Sequence, residues 1–300
     1  QRPCVGDRRC AIAWRLQVDA EAADVGEEGK ALEVRGVHHR VAVELQAPIA
    51  PSSRPTIQDK PAVVGLGSVL QGRYQLTEVL GRGGMCHVFK AWDRAAGTMR
   101  VVKILRADRA DHDHYHKRIL AEAGTLGRFR HAGVTRLHAL GQHDGVPFLV
   151  MELVDGGVLS RIIGNEGAMD PARVYRMGES LLRTLVHCHG MGVIHRDIKP
   201  HNVLLRHDDT PVLADFGIAR SRTIASDLTV PGQSLGTASY MAPEQRLDAT
   251  GVDARADLYA MGASLYAMFT ARQPTGLEMC EVDSIRFKLI PVGLREVVWR

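Results

Sequence analysis

"VLGRGGMCHVFKAWD", residues Val79 to Asp93, carries glycine at positions 81, 83 and 84 and then returns at once to alternating apolar residues. A Gly81-x-Gly83 turn can bring main-chain N–H groups close to phosphate oxygens, and Cys86 stands where a third glycine would be expected. What flanks the turn decides the architecture. Ahead of it, "GRYQLTEVLG" alternates Tyr74, Leu76 and Leu80 with more polar neighbours. Behind it "HVFKAWD" alternates again, and "DRAAGT" turns the chain into "MRVVKIL". The pattern predicts strand, glycine turn, strand: the first hairpin of an antiparallel sheet. A dinucleotide-binding fingerprint needs a helix directly after the turn. A Walker A loop needs Gly-Lys-Ser/Thr to close it. Neither is present, which leaves a hairpin loop folding over a nucleotide or a plain glycine turn.

Composition sets wide bounds. The 300 residues allow one large or two modest domains. Thirty-eight basic and 34 acidic side chains are interspersed for a net charge of +4, a balance that does not point to nucleic acid as a partner. The five cysteines, Cys4, Cys10, Cys86, Cys188 and Cys280, are scattered and odd in number, which predicts a reducing, cytosolic setting rather than a disulfide framework. The longest uncharged helical run, Leu258 to Ala271, is too short to cross a bilayer and reads as a buried core helix. No membrane segment is expected in this chain.

Residues 1–68 are expected to be a poorly ordered extension and linker; "VHHRVAVELQ" has the alternation of a strand or two, and "APIAPSSRPTIQDKP" is rich in proline and serine. A single domain is expected over 69–300. A helix follows the first strands, with Tyr115, Ile119, Ala123 and Leu126 on one face. "VTRLHALGQHDGVPFLVMELV" reads as two strands joined by a glycine-containing turn. In "MDPARVYRMGESLLRTLVHCHGMG", Asp170 is the expected N-cap and Pro171 the first helical residue, with a stripe of Val174, Met177, Leu181, Leu185 and Cys188. The expected fold class is therefore α+β, a small antiparallel sheet with one helix (69–154) followed by a mostly helical part (155–300).

Pieces far apart then fall in a telling order. Lys103, in "VVKIL" on the expected third strand, can reach the α- and β-phosphates of a nucleotide. Glu122 on the following helix can hold that lysine extended through an ion pair. In "VIHRDIKPHNVLL", Asp197 and Asn202 share a loop expected to be entered and left through apolar strand-like pieces. A carboxylate there can orient an acceptor hydroxyl and take its proton, and an amide oxygen can ligate magnesium. Asp215, in "LADFGIAR", offers a second metal ligand, and "GTASYMAPE" closes the segment. His112, His114 and His116 in "DHDHYHKR" are spaced by two and share no helix face, so a metal site is not expected there.

This ordered set, with "DARADLYAMG" after it, resembles the Hanks-type (eukaryotic-like) bacterial serine/threonine protein kinases over residues from about 70 to 300. The resemblance implies a two-lobed kinase fold and transfer of the ATP γ-phosphate to protein serine or threonine hydroxyls, with magnesium (or manganese in its stead) as cofactor. Asp197 would be the catalytic base, Lys199 would steady the γ-phosphate, and Lys103 would pair with Glu122. Asn202 and Asp215 would bind the metal. Leu80, Gly81, Gly83 and Gly84 would close over the nucleotide, while Val88, Val101 and Leu204 sandwich adenine. Met151 would be the gatekeeper, and the backbones of Glu152 and Val154 would bond the base. His195, Phe216 and Leu126 would form an apolar spine, with Asp257 anchoring the catalytic loop from beneath. Lys199 and Thr237 point to serine or threonine acceptors. Arg196 beside Asp197 implies control by activation-loop autophosphorylation, through self-association, at Ser221, Thr223, Ser226, Ser234 or, favoured, Thr229. Val101 departs from the alanine usual at its position. The C-lobe is expected to be incomplete at residue 300, leaving Glu244 as a buried carboxylate without the arginine partner the family supplies. Two further classes stay open: a catalytically weak kinase-like binding or scaffold module, and a small-molecule phosphotransferase. Cys86 is either an inert small residue or a redox-sensitive thiol beside the phosphates.

Overall fold

The computed structural model describes residues 64–106, 113–216, 238–247, 251–276 and 285–299, all within one compact unit that begins at Ile57. The expectations for residues 1–63, for His112, for the His114 side chain and for the candidate phosphosites lie outside the described residues.

An antiparallel six-stranded sheet forms the first lobe. Its strands are β1 (Val69–Leu70), β2 (Tyr74–Arg82), β3 (Cys86–Asp93), β4 (Thr98–Leu105), β5 (Leu137–His143) and β6 (Val146–Glu152), in the spatial order β1-β2-β3-β4-β6-β5. The hairpin flanking the glycines is as expected. The lysine strand is the fourth rather than the third, because the two-residue β1 pairs with β2 ahead of it. Leu80 also departs from the expected inward alternation. Register shifts between Leu76 and Glu78 and between Val79 and Gly81 insert extra residues into β2, so Val79 pairs with the buried Phe89 while Leu80 lies on the surface. The β5–β6 turn is Asp144-Gly145, both at positive φ (48° and 79°), the conformation a two-residue hairpin requires.

Helix α1 (Asp113–Leu126) packs between β4 and β6 with Ile119, Ala123 and Leu126 buried on one face. The second lobe holds α2 (Leu159–Glu166), α3 (Pro171–Gly190), the hairpin β7 (Val203–Leu205) and β8 (Pro211–Leu213), and α4 (Pro243–Leu247), α5 (Ala254–Thr270) and α6 (Val292–Trp299). Asp170 caps α3 by accepting the N–H groups of Ala172 and Arg173, each at 3.0 Å, and the expected stripe of α3 is buried. The uncharged run falls on α5, buried over most of its length. Two glycines fasten the lobes' junction to β7. The Gly156 N–H donates to the Leu205 carbonyl and the Leu205 N–H to that of Gly157, both at 2.8 Å. A Cβ at Gly156 would stand 2.5 Å from the carbonyl oxygens of Leu205 and Arg206, so no larger residue fits.

Candidate active site

Sheet register gathers the first group of site residues on one face. Val88 pairs with Lys103, Lys103 with Leu149, and Val101 with Met151, so all five side chains project to the same side. On that side the Lys103 ammonium lies 2.8 and 3.0 Å from the two oxygens of Glu122 on α1. It also lies 2.7 Å from Asp215, which follows β8 in the other lobe. Glu122 is buried (3% exposed), whereas the Asp215 side chain is half exposed. One ammonium thus serves two carboxylates. Burial pulls the lysine pKa down, but Asp215 and Glu122 more than offset this and hold it well above its ordinary value, so Lys103 stays charged. Burial raises Glu122, and the lysine charge lowers the more exposed Asp215.

The second group is the loop from His195 to Asn202. It is left through β7, as expected, but no strand leads into it. Its backbone is satisfied by side chains instead. Asp257, fully buried near the start of α5, accepts the N–H groups of His195 and Arg196, each at 2.8 Å, and bonds His189 Nε2 at 2.8 Å. Gln245 on α4 donates to the Arg196 carbonyl at 2.7 Å. Arg196 is thereby held at φ 65°, a left-handed conformation uncommon for a residue with a side chain. Burial lowers the His195 pKa and keeps the ring neutral. Its Nδ1 accepts the Asp197 N–H at 3.3 Å, which leaves Nε2 protonated to donate to the Ala214 carbonyl at 3.2 Å. The Asp197 carboxylate receives Lys199 Nζ at 3.1 and 3.0 Å, and Asn202 Nδ2 donates both to it, at 2.8 Å, and to the Asp197 carbonyl, at 2.7 Å.

These contacts bear on what the site could hold. Asn202 spends its NH2 on Asp197, and among the described residues its carbonyl oxygen and Asp215 Oδ2 meet no hydrogen-bond partner, while Asp215 Oδ1 meets Lys103. Two hard oxygen donors of this kind suit magnesium. At the lobe junction, the Val154 N–H finds no backbone partner among the described residues although Val154 is 8% exposed, an open donor for a base edge. Gly81 has a negative φ and open space where a Cβ would stand, so its own backbone does not require glycine; a ligand lying over the loop would. The residues present fit a nucleotide and a hard divalent cation.

His195 and Phe216 pack with ring centres 4.4 Å apart and planes tilted by 36°, and Phe216 meets Phe129 at 5.2 Å. Leu126 lies buried in the same core. Phe129, Gln245 and His189 were not singled out from the sequence; the hydrogen-bond partners of the latter two lie far off in the chain and follow no period. Cys86 is buried at 4% exposure, and burial pushes its thiol up to about 12, which decides for the inert side chain. Glu244 is exposed, not buried as expected, so an unpaired-charge penalty does not arise there. Thr229 and Thr237 lie outside the described residues.

The two-lobed arrangement is that of a protein kinase domain. The model of the protein kinase domain family matches residues 74–288, and the chain belongs to that family. Among its relatives, the DNA damage-responsive serine/threonine-protein kinase RqkA of Deinococcus radiodurans is 40% identical over 211 residues, 69% of this chain and 31% of the relative. Serine/threonine-protein kinase PrkC of Bacillus subtilis is 32% identical over 209 residues, 70% of this chain and 32% of the relative. PknB of Mycobacterium tuberculosis is 35% identical over 212 residues, covering 69% and 34%. The chain thus spans about a third of the length of these curated relatives. The solved kinase domain of PknI from Mycobacterium tuberculosis superposes with a TM-score of 0.55 at 25% identity, over 69% of this chain and 76% of that one.

Proposed function

We propose that this domain transfers the γ-phosphoryl group of ATP to serine and threonine hydroxyls of proteins, with magnesium as cofactor. The observation that carries this reading is Lys103, held between Glu122 of one lobe and Asp215 of the other at 2.8 and 2.7 Å. In this reading the Lys103 ammonium binds the α- and β-phosphates, and Glu122 keeps it extended. Asn202 and Asp215 hold the metal, which when bound neutralises phosphate charge. Asp197 receives the proton of the acceptor hydroxyl. Its carboxylate is fixed for that task by Asn202, while Lys199 turns from Asp197 toward the γ-phosphate. Leu80, Gly81, Gly83 and Gly84 cover the phosphates, and Val88, Val101, Met151 and Leu204 line the base. The main chain at Glu152 and Val154 bonds its edge. Positioning and charge supply the catalysis, since phosphoryl transfer asks little covalent help of the protein.

Regulation by autophosphorylation, with Thr229 as the favoured site, belongs to the same proposal. The Arg196 guanidinium has no acidic partner among the described residues, and a phosphate could neutralise it. The reaction draws on ATP, so the domain works on the cytosolic side. Among the described residues no helix is long and apolar enough to cross a membrane.

Incubation with γ-labelled ATP and a generic protein acceptor, followed by phosphoamino-acid analysis, tests the reading. Phosphoserine and phosphothreonine are expected. Label confined to tyrosine or to a small molecule would overturn it, and nucleotide binding without transfer would favour a binding module.

A further inference from the structure

Glu152 ends β6 where the two lobes meet, and its side chain does not face the nucleotide side. It pairs with Arg100, on the sheet face opposite to Val101, Lys103 and Met151. Its carboxylate instead ties two segments to β6 behind the junction. Oε1 accepts the Arg136 N–H at 3.0 Å from the stretch between α1 and β5. Arg206 Nη2, at the start of the β7–β8 turn in the second lobe, lies 3.3 and 3.2 Å from the two carboxylate oxygens and 3.4 Å from the Ala132 carbonyl. The Glu152 N–H also donates to the Arg136 carbonyl at 2.9 Å. Arg206 sits on a turn that is itself closed: its N–H donates to Thr210 and its carbonyl accepts from Asp209, both at 3.0 Å. Both side chains are partly shielded, Glu152 at 18% and Arg206 at 34% exposure. A neighbouring pair, His207 with Asp155 at 3.1 Å, is largely exposed and adds little.

We propose that Glu152 and Arg206 form a latch behind the junction that holds the lobes in the arrangement competent for nucleotide, making both positioning residues. The proposal rests on the nucleotide reading above for its functional consequence, though not for its geometry. Its ends belong to different lobes, so a rotation that parts the lobes on that side of the junction stretches Arg206–Glu152. The Lys103–Asp215 contact also spans the lobes and is closed in the same arrangement. The two contacts flank the junction from opposite faces of the sheet; main-chain bonds of Gly133 and Thr135 with Leu213 also join the lobes, so opening the latch removes one restraint of several. Looser lobes spend less time aligned, and apparent nucleotide affinity falls by the lost fraction.

The test is a double-mutant cycle with Arg206→Gln, Glu152→Gln and the pair together, plus Arg206→Lys as the conservative variant. Glu152→Gln keeps an oxygen for the Arg136 N–H, and melting temperatures verify that each variant folds. ADP with magnesium is titrated by calorimetry, and amide exchange is followed in residues 132–136 and 152–157 without nucleotide. Each glutamine variant is expected to weaken ADP binding by about fivefold and to speed exchange in both segments. The double variant should be no weaker than either single one, and Arg206→Lys should stay within about twofold of the parent. Additive losses, or exchange unchanged in both segments, would overturn the latch. A parent chain that binds no ADP would instead sink the nucleotide reading, and the exchange measurement would still decide the latch.

Discussion

Asp257→Ala removes the acceptor on which the loop from His195 to Asn202 hangs. Asp257 is fully buried and takes the N–H groups of His195 and Arg196 and the ring of His189, all at 2.8 Å. Alanine leaves two main-chain donors, one buried and one half-buried, beside the site without partners. Each orphaned donor costs about 1–3 kcal/mol, so the variant should lose about 4 kcal/mol in all. For a domain of this size that corresponds to a fall in Tm of about 8–16 °C. Asp257→Asn keeps one acceptor oxygen and should lose about half as much. Differential scanning fluorimetry measures the global term, and hydrogen exchange at the amides of residues 195 and 196 measures the local one. The reasoning is refuted if Asp257→Ala melts within about 2 °C of the parent, or if those two amides exchange no faster.

Lys103→Met strands the Glu122 and Asp215 carboxylates and should cut phosphoryl transfer by about a hundredfold or more, checked by steady-state rates at saturating ATP. Gly156→Ala places a Cβ 2.5 Å from two carbonyl oxygens. It should cost about 2 kcal/mol, read as a lower urea midpoint; an unchanged midpoint would contradict the close approach. Burial lowers the pKa of His131, His138, His195 and His201 in the folded protein. In the unfolded chain they titrate near 6.5, so below about pH 6.5 the unfolded state binds more protons and stability falls, while above it their contribution is constant. Urea midpoints should therefore drop between pH 7 and 5.5, and a rise would reverse the sign argued here. Cys86 should resist thiol reagents at pH 8 until the chain unfolds, as judged by mass spectrometry of its peptide.

Most residues of the proposed site are legible in the sequence because they sit in short runs whose spacing is fixed by local geometry. Glycines between two alternating stretches imply a hairpin, and Asp197, Lys199 and Asn202 are neighbours within one loop. The supporting residues are less visible. Gln245 reaches Arg196 across 49 positions, and Arg206 reaches Glu152 across 54. Either side chain taken alone reads as an ordinary polar surface residue. The loop before Asp197 looked like a strand because "VI" is apolar, yet Asp257 supplies the bonds that a ladder would otherwise make. Leu80 departs from the alternation for a related reason. The shifts in β2 appear only in pairing with β3 and leave the apolar alternation of the sequence intact.

The most direct test of the central claim compares the parent chain with Asp197→Asn for transfer from γ-labelled ATP to protein and for nucleotide affinity. The account predicts that transfer to serine and threonine drops by about a thousandfold or more. Nucleotide affinity should stay within a few-fold, because the proposed role of Asp197 is toward the acceptor hydroxyl rather than the base or the α- and β-phosphates. Equal transfer by the two chains, or nucleotide binding with no transfer by the parent, would contradict it.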